Sequence, residues 1–201
     1  MNRRQSLSII GALGAQCLLG PTVAAADEHV ADKPTSSAQI TLSHGDIVKI
    51  KTRLGYVGLD KGVFVGDLKE PEATRFAIEK TFDPKGPAVI YQDDKIHLRI
   101  THPDHYLQTE GNDSIAIVPG KDHATEYDLY PVDPKVAAGG RKVPLEPDID
   151  LWVKCNHPDR WLALRSDADH GGRYLYAKAH RADAEKISFA KQENPSTIPG
   201  K

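Results

Sequence analysis

Only two cysteines occur in the chain, Cys17 and Cys155, and the first falls in an N-terminal leader. No internal disulfide can form in what remains, so the core must hold without a cross-link. Cys155 itself reads as a small buried residue of a strand rather than a reactive thiol. Long apolar runs are also missing. The one candidate, Leu7 to Leu19 (LSIIGALGAQCLL), is diluted by Gly and Ala and falls short of the about 20 apolar residues that a membrane-spanning helix needs. Positive charge is in no excess: the net charge is −2, and the leader carries Arg3, Arg4 and no acid. That argues against a nucleic-acid binder, which shows a concentrated basic face. After the leader, no stretch has a convincing amphipathic helical period. The nearest candidate, Ala177 to Lys186, reads as a turn-rich connection. Gly-x-Ser-x-Gly, a Cys/His constellation and carboxylates paired on one strand face are all absent, so an enzyme has little to start from.

What is present begins with that leader. A positive start (Arg3-Arg4), the apolar run and Ala24-Ala25-Ala26 before Asp27 together make residues 1–26 a signal peptide,. The protein is therefore expected to be exported, to the periplasm or outside the cell. Asn2-Arg-Arg-Gln-Ser-Leu7 resembles a twin-arginine signal, but Ser6 sits where that signal prefers a bulky apolar residue. A flexible linker is expected over 27–41 and a disordered tail over 192–201.

Between them the chain repeats itself. Residues 46–80, 94–132 and 148–191 each carry four short runs in one order. An alternating run comes first (Val48 to Thr52, Ile96 to Ile100, Leu151 to Cys155). An aromatic-led run follows (Tyr56-Val57, Tyr106-Leu107, Trp161-Leu162), its three aromatics expected to pack inward. Then comes a third apolar run (Val63 to Val65, Ile115 to Ile117, Tyr174 to Ala177). Last is an Ala ahead of an alternating pair (Ala73 before Phe76, Ala124 before Tyr127, Ala184 before Ile187). Period-two alternation bounded by Gly, Pro, Asn and Asp marks strands. Four strands taken three times predict an all-β domain over 42–191, a β-trefoil with pseudo-threefold symmetry. The doubled tripeptide His102-Pro-Asp104 and His157-Pro-Asp159 falls between the first and second runs of its repeats. It reads as turn punctuation, with Asp bonding the backbone of its own turn.

In these units, above all Tyr106-Leu107 with Ala124-Thr-Glu-Tyr127 and Trp161-Leu162 with Ala184-Glu-Lys-Ile187, the sequence resembles the fascin-like β-trefoils. The resemblance implies a fold and no activity. Actin bundling needs several trefoils, so it does not transfer to one. The Gln-x-Trp mark of ricin-type lectins and the basic cluster of heparin-binding growth factors are absent, and the disulfides usual in Kunitz-type inhibitors cannot form.

A non-catalytic binding module is the expectation, its ligand a carbohydrate or a surface or partner protein. A secreted enzyme or toxin-like effector with a loop-borne site is the alternative, and a metal-binding periplasmic protein a further one. His102 and His105 lie three apart with Asp104 between, but in a turn, and a metal site needs three or four convergent ligands. No cofactor is called for. Trp152 alternates with Leu151 and Val153, so it faces away from them. It is either covered by the Pro-rich loop 131–147 or a binding platform. Tyr174 and Tyr176 straddle Leu175, and one of the two sets faces outward. The polar loop Asp167 to Arg173 lies beside them, so Trp152, Tyr174, Tyr176, Asp167, Asp169, His170 and Arg173 form the expected binding site, with no catalytic or metal residues assigned.

Overall fold

Alternation of apolar and polar residues lays down the strands. In a computed structural model, which describes residues 40–81, 88–111, 113–133, 143–166 and 173–192, Tyr127–Pro131 and Leu151–Cys155 bury every second side chain. The two pair antiparallel, from Tyr127 opposite Cys155 to Pro131 opposite Leu151. Among the described residues there are twelve strands: β1 Ile47–Lys51, β2 Tyr56–Asp60, β3 Val63–Leu68, β4 Arg75–Lys80, β5 Lys95–Ile100, β6 His105–Thr109, β7 Ile115–Val118, β8 Tyr127–Pro131, β9 Leu151–Cys155, β10 Arg160–Ser166, β11 Arg173–Lys178 and β12 Ser188–Lys191. Among the described residues helix is confined to three 3-10 turns, Glu70–Glu72, Lys121–His123 and Arg181–Asp183, each followed by alanine. The fold is all-β. Among the described residues no helix is long and apolar enough to cross a membrane.

The strand pairings close a nine-strand antiparallel barrel in the order β1-β2-β3-β11-β10-β9-β8-β5-β4 and back to β1, with β12, β6 and β7 as extra strands. This corrects the expected β-trefoil of three four-stranded repeats, and with it the fascin-like resemblance. The physical reason lies in the ladders. Hairpin β2–β3 is joined to hairpin β10–β11 through Val65 opposite Tyr174, whereas β6–β7 is laddered to the sheet through β5 alone. Similar runs of residues specify similar strands, but not which edges hydrogen-bond to which.

Inside the barrel lie Val48, Ile50, Phe76, Ile78, Leu98, Tyr127, Leu129, Leu151, Val153 and Phe189, all fully buried. One end is tied by a closed ring of backbone hydrogen bonds. Leu42 N–H donates to the Leu145 carbonyl (2.7 Å), Leu145 N–H to Ile90 (2.8 Å), and Ile90 N–H to Leu42 (2.8 Å). All three side chains are buried. Two basic side chains are buried on strands where alternation would put them outside, and each has a partner. Lys49 meets Glu70 at 3.3 Å, and the His97 Nδ1–H donates to the Thr125 carbonyl at 3.1 Å. Burial holds His97 below its ordinary pKa, an effect that the Thr125 bond only partly offsets,.

Turn chemistry fits the hairpins. Lys61 and Gly62 take φ of 48° and 86° between β2 and β3, the left-handed pair that a two-residue hairpin loop needs. At Gly55 a Cβ would meet the Leu68 carbonyl oxygen at 2.6 Å, so the close approach of the two backbones admits no side chain there. Both His-Pro bonds, at 102–103 and 157–158, are cis. The acid of each tripeptide has a partner other than its own turn: Asp104 takes Arg99 at 2.9 Å and Asp159 takes Lys154 at 3.0 Å. The acids thus staple the turn to the preceding strand.

Cys155 is buried at the end of β9. Burial pushes its thiol up to about 12, against a Thr109 hydroxyl that donates to the sulfur at 3.4 Å. The native protein at pH 8 is therefore expected to leave a colorimetric disulfide reagent unreacted, and to release one equivalent of thiol (two if Cys17 is retained) once urea unfolds it. Rapid labelling in native buffer would contradict the buried placement.

Candidate functional site

Three hairpins meet at one end of β11 and leave a groove of about 680 Å³ between them. Each supplies a different kind of wall. Val63 and Phe64 come from β3, Asp113 to Ile115 from the entry to β7, and Arg165 from β10. Along the floor runs β11, where Leu175 is buried and Tyr174 and Tyr176 are half-buried on the other face. The chain then turns through Lys178, His180 and Asp183, which close the far side.

The local geometry follows from a few fixed contacts. Asp113 sits at φ 71°, a left-handed position that Asp tolerates. There its carbonyl accepts the Ala177 N–H at 2.9 Å and its carboxylate pairs with Arg160 at 2.8 Å. These two bonds dock the β6–β7 turn onto β11 and β10 and build the wall. Lys178 lies over the Tyr176 ring, 5.8 Å from its centroid, and so keeps one aromatic face oriented. The groove thus combines two phenol rings with Arg165, Lys178, His180 and Asp183, a mixture able to stack on an apolar face and to bond hydroxyls around it. Among the described residues no group of three or more His, Cys, Asp or Glu converges to hold a metal ion.

A separate cluster surrounds Trp152. It stands on β9 opposite Tyr130 of β8, half-buried and on the reverse face from Leu151, Val153 and Cys155. Tyr130 also packs on Trp161 of β10, their ring centroids 5.6 Å apart. The Arg181 guanidinium lies 5.7 Å from the Trp152 centroid and 5.5 Å from that of Trp161. Lys186 lies over Trp152 and Lys154 over Trp161, at 5.9 and 6.0 Å. Burial raises the Tyr130 phenol, and the nearby Asp128 and Asp93 add to it, so the group stays protonated,.

The expected site is therefore divided. Tyr174 and Tyr176 come together in the groove, while Trp152 belongs to the cationic cluster and Arg173 opens β11 without lining the groove. Asp167, Asp169 and His170 lie outside the described residues, as does the middle of the loop 131–147. Tyr56, Tyr106 and Trp161, expected to pack inward, are only half-buried. The residues after them, Val57, Leu107 and Leu162, take the core positions. Sequence reasoning missed Asp113, Arg165, Lys178 and His180. Nothing local marks them, because the Ala177–Asp113 bond that gathers them spans most of two segments.

The chain is thus defined as an all-β barrel with a hairpin-walled groove. No protein-family model matches its sequence, and no curated protein does either. Solved structures do resemble it. The SDF2-like protein from Arabidopsis thaliana matches at TM-score 0.59 and 9% identity, over 75% of this chain and 95% of that one. The S. cerevisiae protein O-mannosyltransferase Pmt1-Pmt2 complex bound to the sugar donor matches at 0.59 and 11%, over 81% of this chain and 27% of that one. Type II water soluble Chl binding proteins match at 0.56 and 9%, over 76% and 94%. At such identities the likeness shows a shared fold and no more.

Proposed function

We propose that the protein is an exported, non-catalytic binding module and that the groove above β11 takes a carbohydrate. The observation that carries this reading is the pairing of Tyr174 and Tyr176 with charged and polar groups around a groove of about 680 Å³, a size usual for small-ligand sites. A sugar ring has an apolar C–H face that stacks on a phenol, and hydroxyls that Arg165, His180 and Asp183 can bond. The leader reading of residues 1–26 supports export. A partner protein is the second reading, favoured by Leu59 and Val63 of the β2–β3 hairpin. They are large apolar side chains 40% and 43% exposed, and Val63 lies on the groove wall.

Glycan-array screening followed by calorimetry on the best hit tests the first reading. Tyr176→Ala is expected to weaken that binding about tenfold, the order of effect of losing one stacking aromatic, with little change in the urea midpoint. Full affinity in Tyr176→Ala would remove the groove from consideration. A chain that binds no glycan but captures a partner protein, with capture lost on Val63→Asp, would establish the second reading instead.

A further inference from the structure

At three places a strand pair, the hairpin after it and a 3-10 turn come together with related registers. At the first, Lys51 pairs with Tyr56, and Glu70, which opens its 3-10 turn, is met by Lys49 at 3.3 Å. At the second, Glu79 pairs with His97 and Arg99 with Tyr106. Lys121 opens that turn, and Glu79 meets it at 3.6 Å while also taking Arg99 at 2.6 Å. In both, the charge that opens the turn is matched by an opposite one from a neighbouring strand. At the third, Tyr130 pairs with Trp152 and Lys154 with Trp161, and Arg181 opens the turn. The place filled by Glu79 at the second junction is held here by Tyr130, an uncharged phenol.

Arg181 is thus left on two indoles with no carboxylate beside it among the described residues, and the same is true of Lys186 on Trp152. Of the acids near this junction, Asp159 is engaged on Lys154 at 3.0 Å and Asp128 with the Asn156 amide at 3.2 Å, while Asp93 acts on the Tyr130 phenol; none of these three forms an ion pair with Arg181. Two indoles orient the Arg181 guanidinium in advance, which lowers the ordering cost of gripping an anion. Its planar fork suits a carboxylate with two parallel bonds. Lys186 adds a second positive charge, and the Tyr130 hydroxyl lies among the rings as a further polar group.

We infer that this shelf binds a carboxylated polysaccharide, with Arg181 gripping beside Tyr130 a carboxylate that supplies the negative charge Glu79 provides at the second junction. The choice of a sugar as carrier rests on the groove reading; the anion is argued from the shelf alone. The shelf works independently of Tyr174 and Tyr176.

Calorimetric titration of the full chain with trigalacturonate tests this, with neutral galactotriose and acetate as comparison ligands. Trigalacturonate is expected to bind, galactotriose to bind at least about tenfold more weakly at the shelf, and acetate to compete. Arg181→Gln, an exposed change that the fold should tolerate, is expected to reduce binding about tenfold or more, as loss of a charge-assisted pair does. Tyr130→Glu should do the same by supplying an internal carboxylate. Lys121→Ala, at the junction whose turn charge is already matched by Glu79, should bind like the wild type. Failure of the wild type to bind trigalacturonate, or unchanged binding by Arg181→Gln, would overturn the shelf. Loss through Tyr176→Ala alone would move the anion site to the groove, and equal binding of galactotriose would refute the carboxylate requirement.

Discussion

Replacing Phe76 with alanine is expected to lower the unfolding free energy by about 3–5 kcal/mol, the usual cost of removing a buried ring and leaving a partly unfilled cavity. Phe76 is fully buried on β4. That strand pairs with both β1 and β5, so the cavity would open where the barrel closes. Its ring also packs on Phe64, centroids 6.1 Å apart, and that contact would be lost with it. Domains of this kind have about 5–15 kcal/mol in total, so much of the margin would go. Urea unfolding should show a lower midpoint at unchanged slope. Leu59→Ala, at an exposed position, serves as the comparison and should move stability by less than about 0.5 kcal/mol. A Phe76→Ala loss below about 1 kcal/mol would mean that this face of β4 is not core.

The second large effect is expected at Glu79. Its carboxylate takes Arg99 at 2.6 Å and lies 3.6 Å from Lys121, with its own side chain only 15% exposed, and it accepts the Tyr106 hydroxyl at 3.2 Å. Glu79→Ala would leave the half-buried Arg99 with only the exposed Asp104, and Tyr106 without its acceptor. A loss of about 2 kcal/mol at neutral pH is expected, reduced from a fully buried case by solvent around Arg99. Acid should reveal the same carboxylate. Burial alone would raise its pKa, but Arg99, Tyr106 and Lys121 outweigh burial and hold it below the ordinary value of 4.5. Below that value the unfolded chain binds a proton that the folded one does not, so stability rises with pH there. The stabilisation is complete above the ordinary carboxylate range and is lost as pH falls through the lowered folded value. The gap between wild type and Glu79→Ala should therefore narrow between pH 5 and pH 3 in thermal melts. A gap independent of pH would mean that the charge on Glu79 does not matter.

Much of the architecture was legible in the chain because strands are local. Alternation in Leu151 to Cys155 needs only neighbouring residues to be read. Closure was not legible. Whether β3 ladders to β11 through Val65 and Tyr174 depends on how the hairpins lean together, and no short stretch of sequence encodes that. The same limit explains the inward placement wrongly expected for Tyr56, Tyr106 and Trp161. Hydrophobicity ranks an aromatic with a leucine, yet strand register gives the core position to the residue beside it. For the groove, Tyr174 and Tyr176 stood out as aromatics on a strand. Asp113 and Lys178 were ordinary charged residues until a single backbone bond brought their segments together. Trp152 was conspicuous, but its partners Arg181 and Lys186 had been read only as part of a connecting turn.

The ring of three backbone bonds among Leu42, Ile90 and Leu145 bears on how the chain acquires its shape as it is made. Each residue donates to the next and accepts from the one before, so any two of these segments leave a donor and an acceptor bare until the third arrives. Nothing upstream of Leu145 can close this ring of bonds alone, even where earlier strands such as β4 and β5 have already paired. Contacts so distant in sequence favour slow, all-or-none folding, and they leave little scope for a shortened chain that begins after Leu42.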